Sequence, residues 1–82
     1  MAITPEQSKA ARALLGLTQA DLAERAGVSA RTVVNWESHA REPIPVTLAA
    51  IQRTLEQLGI IFLNEDRAGG PGLRLAKRRT RR

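Results

Sequence analysis

Two sets of side chains with chemistry to offer stand close together near the middle of the chain. Glu37, His39 and Glu42 place an imidazole between two carboxylates, and Arg31 and Asn35 place a guanidinium and an amide four residues apart. The first set has the composition of an acid–base site. Catalytic groups, however, must converge in space around a substrate beside an oxyanion donor, and neighbours along a chain rarely do so. No catalytic residue and no enzymatic activity is therefore expected. The chain has no cysteine and a single histidine, so there is no thiolate chemistry, no disulfide and no histidine–cysteine metal shell, and no metal is expected. Gly69-Gly70-Pro71-Gly72 lacks the lysine and following helix of a phosphate cradle and reads as a turn. No cofactor is expected either.

The elements that must position Arg31 and Asn35 are announced by caps. Thr4-Pro5-Glu6-Gln7 opens a first helix with a capping threonine, a proline at its first position and a glutamine placed to reach back, and Gly16 closes it. On that helix Ala11, Leu14 and Leu15 are expected to face inward, with Ile3 and Leu17 nearby and Lys9 and Arg12 on the solvent side. Thr18-Gln19-Ala20-Asp21 opens a second helix with Leu22, Ala23 and Ala26 buried, and Gly27 ends it. Ser29 caps a third, from about Ala30 to Ser38, which Val33 and Trp36 turn inward. Its outer face is Ala30, Arg31, Val34 and Asn35. Only Gly27 and Val28 separate these two helices, too little chain for antiparallel packing, so they must cross steeply. A polar loop from His39 to Ile44, bounded by Pro43 and Pro45, precedes a fourth helix over about Val46 to Leu58, where Leu48, Ile51, Leu55 and Leu58 recur at three and four residues.

After Gly59 the period changes. Ile60-Ile61-Phe62-Leu63 reads as a strand and Leu73-Arg74-Leu75 as its partner in a hairpin that packs on the helices or pairs with a second chain. The net charge of +5 would suggest nucleic acid, but five of the thirteen basic residues are Lys77, Arg78, Arg79, Arg81 and Arg82; the remaining eight balance eight acids. What counts is therefore whether basic side chains gather on one face. The sequence divides into helices over 1–58, a strand pair over 59–76 that is a candidate for dimerisation, and a basic tail over 77–82 expected to be disordered and to hold DNA without reading sequence. With no charged segment leading into an apolar run and no stretch near ~20 apolar residues, the chain is expected to be cytoplasmic and without a membrane partner.

The segment Thr18-Gln-Ala-Asp-Leu-Ala-Glu-Arg-Ala-Gly-Val-Ser-Ala-Arg-Thr-Val-Val-Asn-Trp-Glu37 resembles the helix-turn-helix of the Cro and phage-repressor group, the XRE family. The likeness runs over about residues 4 to 58. It takes in Ala11-Arg12-Ala13-Leu14-Leu15-Gly16-Leu17, then Trp36-Glu37 and Arg41-Glu42-Pro43; short members with a C-terminal strand pair look similar. It implies a mainly α, four-helix lambda-repressor-like fold with a short C-terminal β-hairpin. It also implies a regulator of transcription that binds double-stranded DNA as a homodimer. By match, Ala30, Arg31, Val34 and Asn35 face bases, while Thr18, Gln19, Ser29, Thr32 and Arg41 lie near phosphates. A guanidinium fork pairs with guanine O6 and N7, an amide with adenine, and small apolar side chains suit thymine methyl groups or a share of indirect readout. The loop position that is often glycine in that group is His39 here.

With no second domain to sense a ligand or recruit polymerase, the resemblance points to repression rather than activation. The rival reading is an antitoxin-like protein-interaction module that binds a partner protein through the strand edge. Recognition of single strands or RNA would call for exposed aromatic rings, and Trp36 and Phe62 are the only aromatics. Trp36, spaced three residues from Val33, is assigned to packing.

Overall fold

The caps act where the sequence places them. A computed structural model of the chain describes residues 2–77. It contains α1 (Pro5–Leu15), α2 (Gln19–Ala26), α3 (Ala30–Glu37), α4 (Pro45–Gln57), β1 (Ile60–Leu63) and β2 (Gly72–Leu75). At the head of α1 the Gln7 amide donates to Thr4 Oγ1 at 3.1 Å, and the Thr4 amide donates to Gln7 Oε1 at 2.8 Å. Thr18 and Asp21 repeat the exchange at 3.0 Å each way, and the Thr32 amide donates to Ser29 Oγ at 3.1 Å. Gly27, at φ 73°, takes the left-handed backbone that lets α3 start so soon after α2.

The fold is the expected one, four helices and a C-terminal antiparallel hairpin, with boundaries shifted by a residue. α3 stops at Glu37, α4 starts at Pro45, whose fixed φ suits a first helical position, and β2 starts at Gly72. Ala11, Leu22, Val33, Trp36, Ile51 and Leu55 form the centre of the core, closed by Ile3, Leu48 and Ile60. Leu15, Ala26, Val28, Phe62 and Leu73 pack against it. Trp36, 2 % exposed, is a core residue as assigned.

α1 departs from expectation. Leu14 is half exposed, and the inward positions belong to Gln7, Ser8 and Ala11. Arg12, expected beside Lys9 in solvent, reaches instead along the flank of that stripe to Glu37. Ser8 and Arg12 turn to Glu37 because a buried carboxylate must be met by donors and a counter-charge, whereas Gln7 turns inward to the hairpin.

β1 and β2 run antiparallel with Ile60 opposite Leu75, Ile61 opposite Arg74, Phe62 opposite Leu73 and Leu63 opposite Gly72. Ile60, Phe62 and Leu73 face the helices, so the hairpin does not stand alone. Gln7 fastens it: its Nε2 donates to the Gly72 carbonyl at 2.8 Å and comes within 3.5 Å of the Leu63 carbonyl. The tight reversal lies upstream of Gly69–Gly72, because Asp66 Oδ1 accepts from the amides of Ala68 at 2.8 Å and Gly69 at 3.2 Å.

Candidate nucleic-acid interface

α3 is built with an inside and an outside. Val33, Trp36 and Glu37 are buried. Ala30, Arg31 and Val34 are exposed and Asn35 is partly so, one stripe on the opposite face. Among the described residues, no hydrogen bond engages the Arg31 guanidinium or the Asn35 amide, so their donors point outward unspent. A helix with its side chains is about 10–12 Å across, and such a helix fits the ~12 Å wide major groove of B-DNA.

Beside this stripe lies a groove of about 510 Å³ between α3, the loop 38–44 and the start of α4. Arg31 and Asn35 line it from α3, with Ser29 and Thr32 at the start of that helix, and Arg41, Glu42 and Thr47 line it from the other side. Arg31 and Arg41 thus face the same space. The loop is tied to α3 at the residue that carries one of the outward amides: the Asn35 carbonyl accepts from the amides of Ala40 at 2.8 Å and Arg41 at 3.2 Å, and from Ser38 Oγ at 3.0 Å. The wall bearing Arg41 is therefore held in register with α3.

His39 turns that loop. It alone among the described non-glycine residues has a left-handed backbone, φ 65°, so the conformation often given to glycine is kept by histidine. Its Nε2 lies 2.5 Å from Glu6 Oε2 on α1, both side chains more than half exposed, and this contact holds the Glu6 carboxyl below its ordinary range. A β-branched side chain does not tolerate that backbone. His39→Val is expected to cost about 1–2 kcal/mol in thermal unfolding, whereas His39→Gly should change it little.

Behind α3 sits a cluster that sequence reasoning missed. Glu37, 2 % exposed, accepts from Arg12 Nη2 at 2.6 Å on one oxygen and from Arg12 Nε at 3.0 Å and Ser8 Oγ at 2.6 Å on the other. Gln19 Nε2 adds a fourth bond at 3.0 Å. Burial pushes the Glu37 carboxyl up, but the donors from Arg12, Ser8 and Gln19 outweigh it and hold the group below the ordinary carboxylate range. The signal was in the spacing: Glu37 is four residues after Val33, on the inward face. Through Gln19 the cluster reaches the first residue of α2, one of those expected near phosphates. Thr18, Ser29 and Thr32 keep their hydroxyls near the surface at the helix starts, Thr32 Oγ1 sharing a 2.8 Å hydrogen bond with Ser29 Oγ.

Two short helices joined by Gly27 and Val28, the second carrying Arg31 and Asn35 on an exposed stripe that faces Arg41 across a groove, define a DNA-binding domain that regulates transcription. The chain belongs to the helix-turn-helix family of the XRE type, whose family model matches residues 9–60. No curated protein matches it. Among the described residues, no helix is long and apolar enough to cross a membrane.

Proposed function

We propose that the protein is a cytoplasmic repressor that binds its operator as a dimer, with half-sites about one helical turn, ~34 Å, apart. The observation that carries this reading is the pairing of Arg31 and Asn35, i and i+4 on the outer face of α3, with no protein partner for either side chain among the described residues. In this reading Arg31 bonds guanine and Asn35 adenine, Ala30 and Val34 meet thymine methyl groups, and Thr18, Gln19, Ser29, Thr32 and Arg41 contact phosphates. Gln19 has a second amide proton and its carbonyl to use while Glu37 holds one donor.

The division of labour follows: residues 1–58 read DNA, 59–76 join two copies, and 77–82 add non-specific affinity. Residues 78–82 of the basic tail lie outside the described residues. Removing 77–82 is expected to weaken all duplexes alike and to flatten the dependence of log affinity on log salt by up to about 0.9 per lost phosphate contact, read by titration at two salt concentrations.

Selection from a random duplex library tests the whole reading. The expected result is an enriched inverted repeat bound far more tightly than its scramble. Absence of enrichment, with binding that vanishes as salt rises, would overturn it and favour a protein partner at the strand edge.

A further inference from the structure

A buried ion pair is a costly way to hold two helices together, since well-packed apolar side chains of similar volume often do so at no loss of stability. What Arg12 and Glu37 do that an apolar pair could not is reach the head of α2 with polar arms. Arg12 Nη1 donates to the Leu17 carbonyl at 3.1 Å, and Glu37 Oε1 accepts from Gln19 Nε2 at 3.0 Å. The two bonds end on either side of Thr18, the residue that caps α2. They hold the start of that helix to α1 and to the buried face of α3, behind the stripe that carries Arg31 and Asn35.

The bond to Glu37 also determines how Gln19 is presented. A carboxylate offers acceptors and no donor, so the NH2 end of the Gln19 amide must face it; the amide carbonyl there would meet a negative charge. One proton of that NH2 group is taken. The second proton and the carbonyl have no partner among the described residues, and the side chain is only partly buried. Glu37 is in turn pinned by two bonds from Arg12 and one from Ser8, so it has no freedom to follow Gln19 outward.

We infer that Glu37 is a positioning residue for DNA binding: from within the core it fixes the amide orientation of Gln19, so that the remaining amide proton is already set when a backbone phosphate arrives. This rests on the assignment of Gln19 to a phosphate. The gain is preorganisation, because a long side chain that is already ordered loses little freedom on binding. The sign of the effect separates it from plain electrostatics. Removing a negative charge beside a polyanion should tighten binding, whereas removing a positioning carboxylate should weaken it.

The test titrates the selected operator with wild type, Glu37→Gln, Gln19→Ala and the double variant, under conditions where circular dichroism shows each to be folded. Gln19→Ala is expected to weaken binding about tenfold, the worth of one hydrogen bond to a charged group. It should leave the salt slope unchanged, because a neutral donor releases no counterion. Glu37→Gln should weaken binding about three- to tenfold in the wild-type background and by no more than about twofold where Gln19 is already alanine. In the free wild-type protein, nitrogen NMR relaxation of the side-chain amides should show Gln19 rigid and the exposed Gln57 flexible. Equal losses in both backgrounds would mark Glu37 as structural only, and tighter binding by Glu37→Gln would mark it as a repulsive charge; either result overturns the inference. So does a Gln19 amide as mobile as that of Gln57, a result that needs no variant to fold. Unchanged affinity of Gln19→Ala for an enriched operator would overturn the inference and leave the reading of DNA intact. A library without an enriched operator would overturn both.

Discussion

Glu37→Ala is expected to cost the domain about 3–5 kcal/mol, a large part of the ~5–15 kcal/mol that holds a small domain folded. The substitution removes the acceptor of four hydrogen bonds at once and leaves the Arg12 guanidinium, its side chain 18 % exposed, without the carboxylate that compensates its charge. Ser8, fully buried, loses its partner as well. Urea unfolding followed by circular dichroism measures the effect, and a midpoint change equivalent to less than ~1 kcal/mol would show that the cluster is not a pillar of the fold. Adding Arg12→Met to Glu37→Ala should recover part of the loss, because the penalty lies in the orphaned charge more than in the lost pair. A purely steric effect of the smaller side chain would show no such recovery.

The same cluster contributes to the loss of stability in acid. Burial opposes ionisation of Glu37, yet the donors around it prevail, so its folded pKa lies below the ordinary 4.5. A group whose pKa is depressed on folding contributes stability above its unfolded pKa and loses that contribution as pH falls through the folded value. Unfolding free energy should hence be level near neutrality with respect to this group and fall once pH drops below about 4.5. In Glu37→Gln that acid-dependent part of the slope should be reduced, measurable as urea midpoints from pH 7 to pH 3.

Why the cluster escaped a sequence reading while the helices did not is a matter of distance along the chain. Thr4 with Gln7, Thr18 with Asp21 and Ser29 with Thr32 are partners three residues apart, and Gly16 and Gly27 act on the turn they end. Such signals are local, and they placed α1, α2 and α3; α4, which has no side-chain cap, was placed by Pro45 and the recurrence of Leu48, Ile51 and Leu55. Ser8 and Glu37 are 29 residues apart and Gln7 and Gly72 are 65 apart, so neither contact leaves a period in the sequence. Buried polar side chains also defeat apolar counting: Gln7 and Ser8 took the inward positions of α1 that were assigned in part to Leu14. The outer stripe of α3 was legible because Val33 and Trp36 determine which way the helix faces, and the remaining positions follow from 3.6 residues per turn. The groove beside it was not, since its far wall depends on how the 38–44 loop folds back onto the Asn35 carbonyl.

Arg31→Ala should relax sequence preference at one base position of each half-site and leave the fold untouched. The guanidinium is exposed and, among the described residues, bonds to nothing in the protein, so its loss removes no internal contact. A bidentate arginine–guanine pair is worth about 1–3 kcal/mol of discrimination against the wrong base, roughly 5- to 150-fold. Library selection with the variant should therefore return the wild-type operator with one position per half-site degenerate and the others intact. Arg31→Lys should not restore the lost position, because a point charge on a flexible stem does not reproduce the planar fork. Arg41→Ala provides the contrast: on the far wall of the groove and assigned to phosphate, it should lower affinity for all sequences alike and reduce the salt slope by about one contact. If Arg31→Ala behaved like Arg41→Ala, with the selected site unchanged, Arg31 would be a phosphate ligand, and base reading by α3 would fall to Asn35 with Ala30 and Val34.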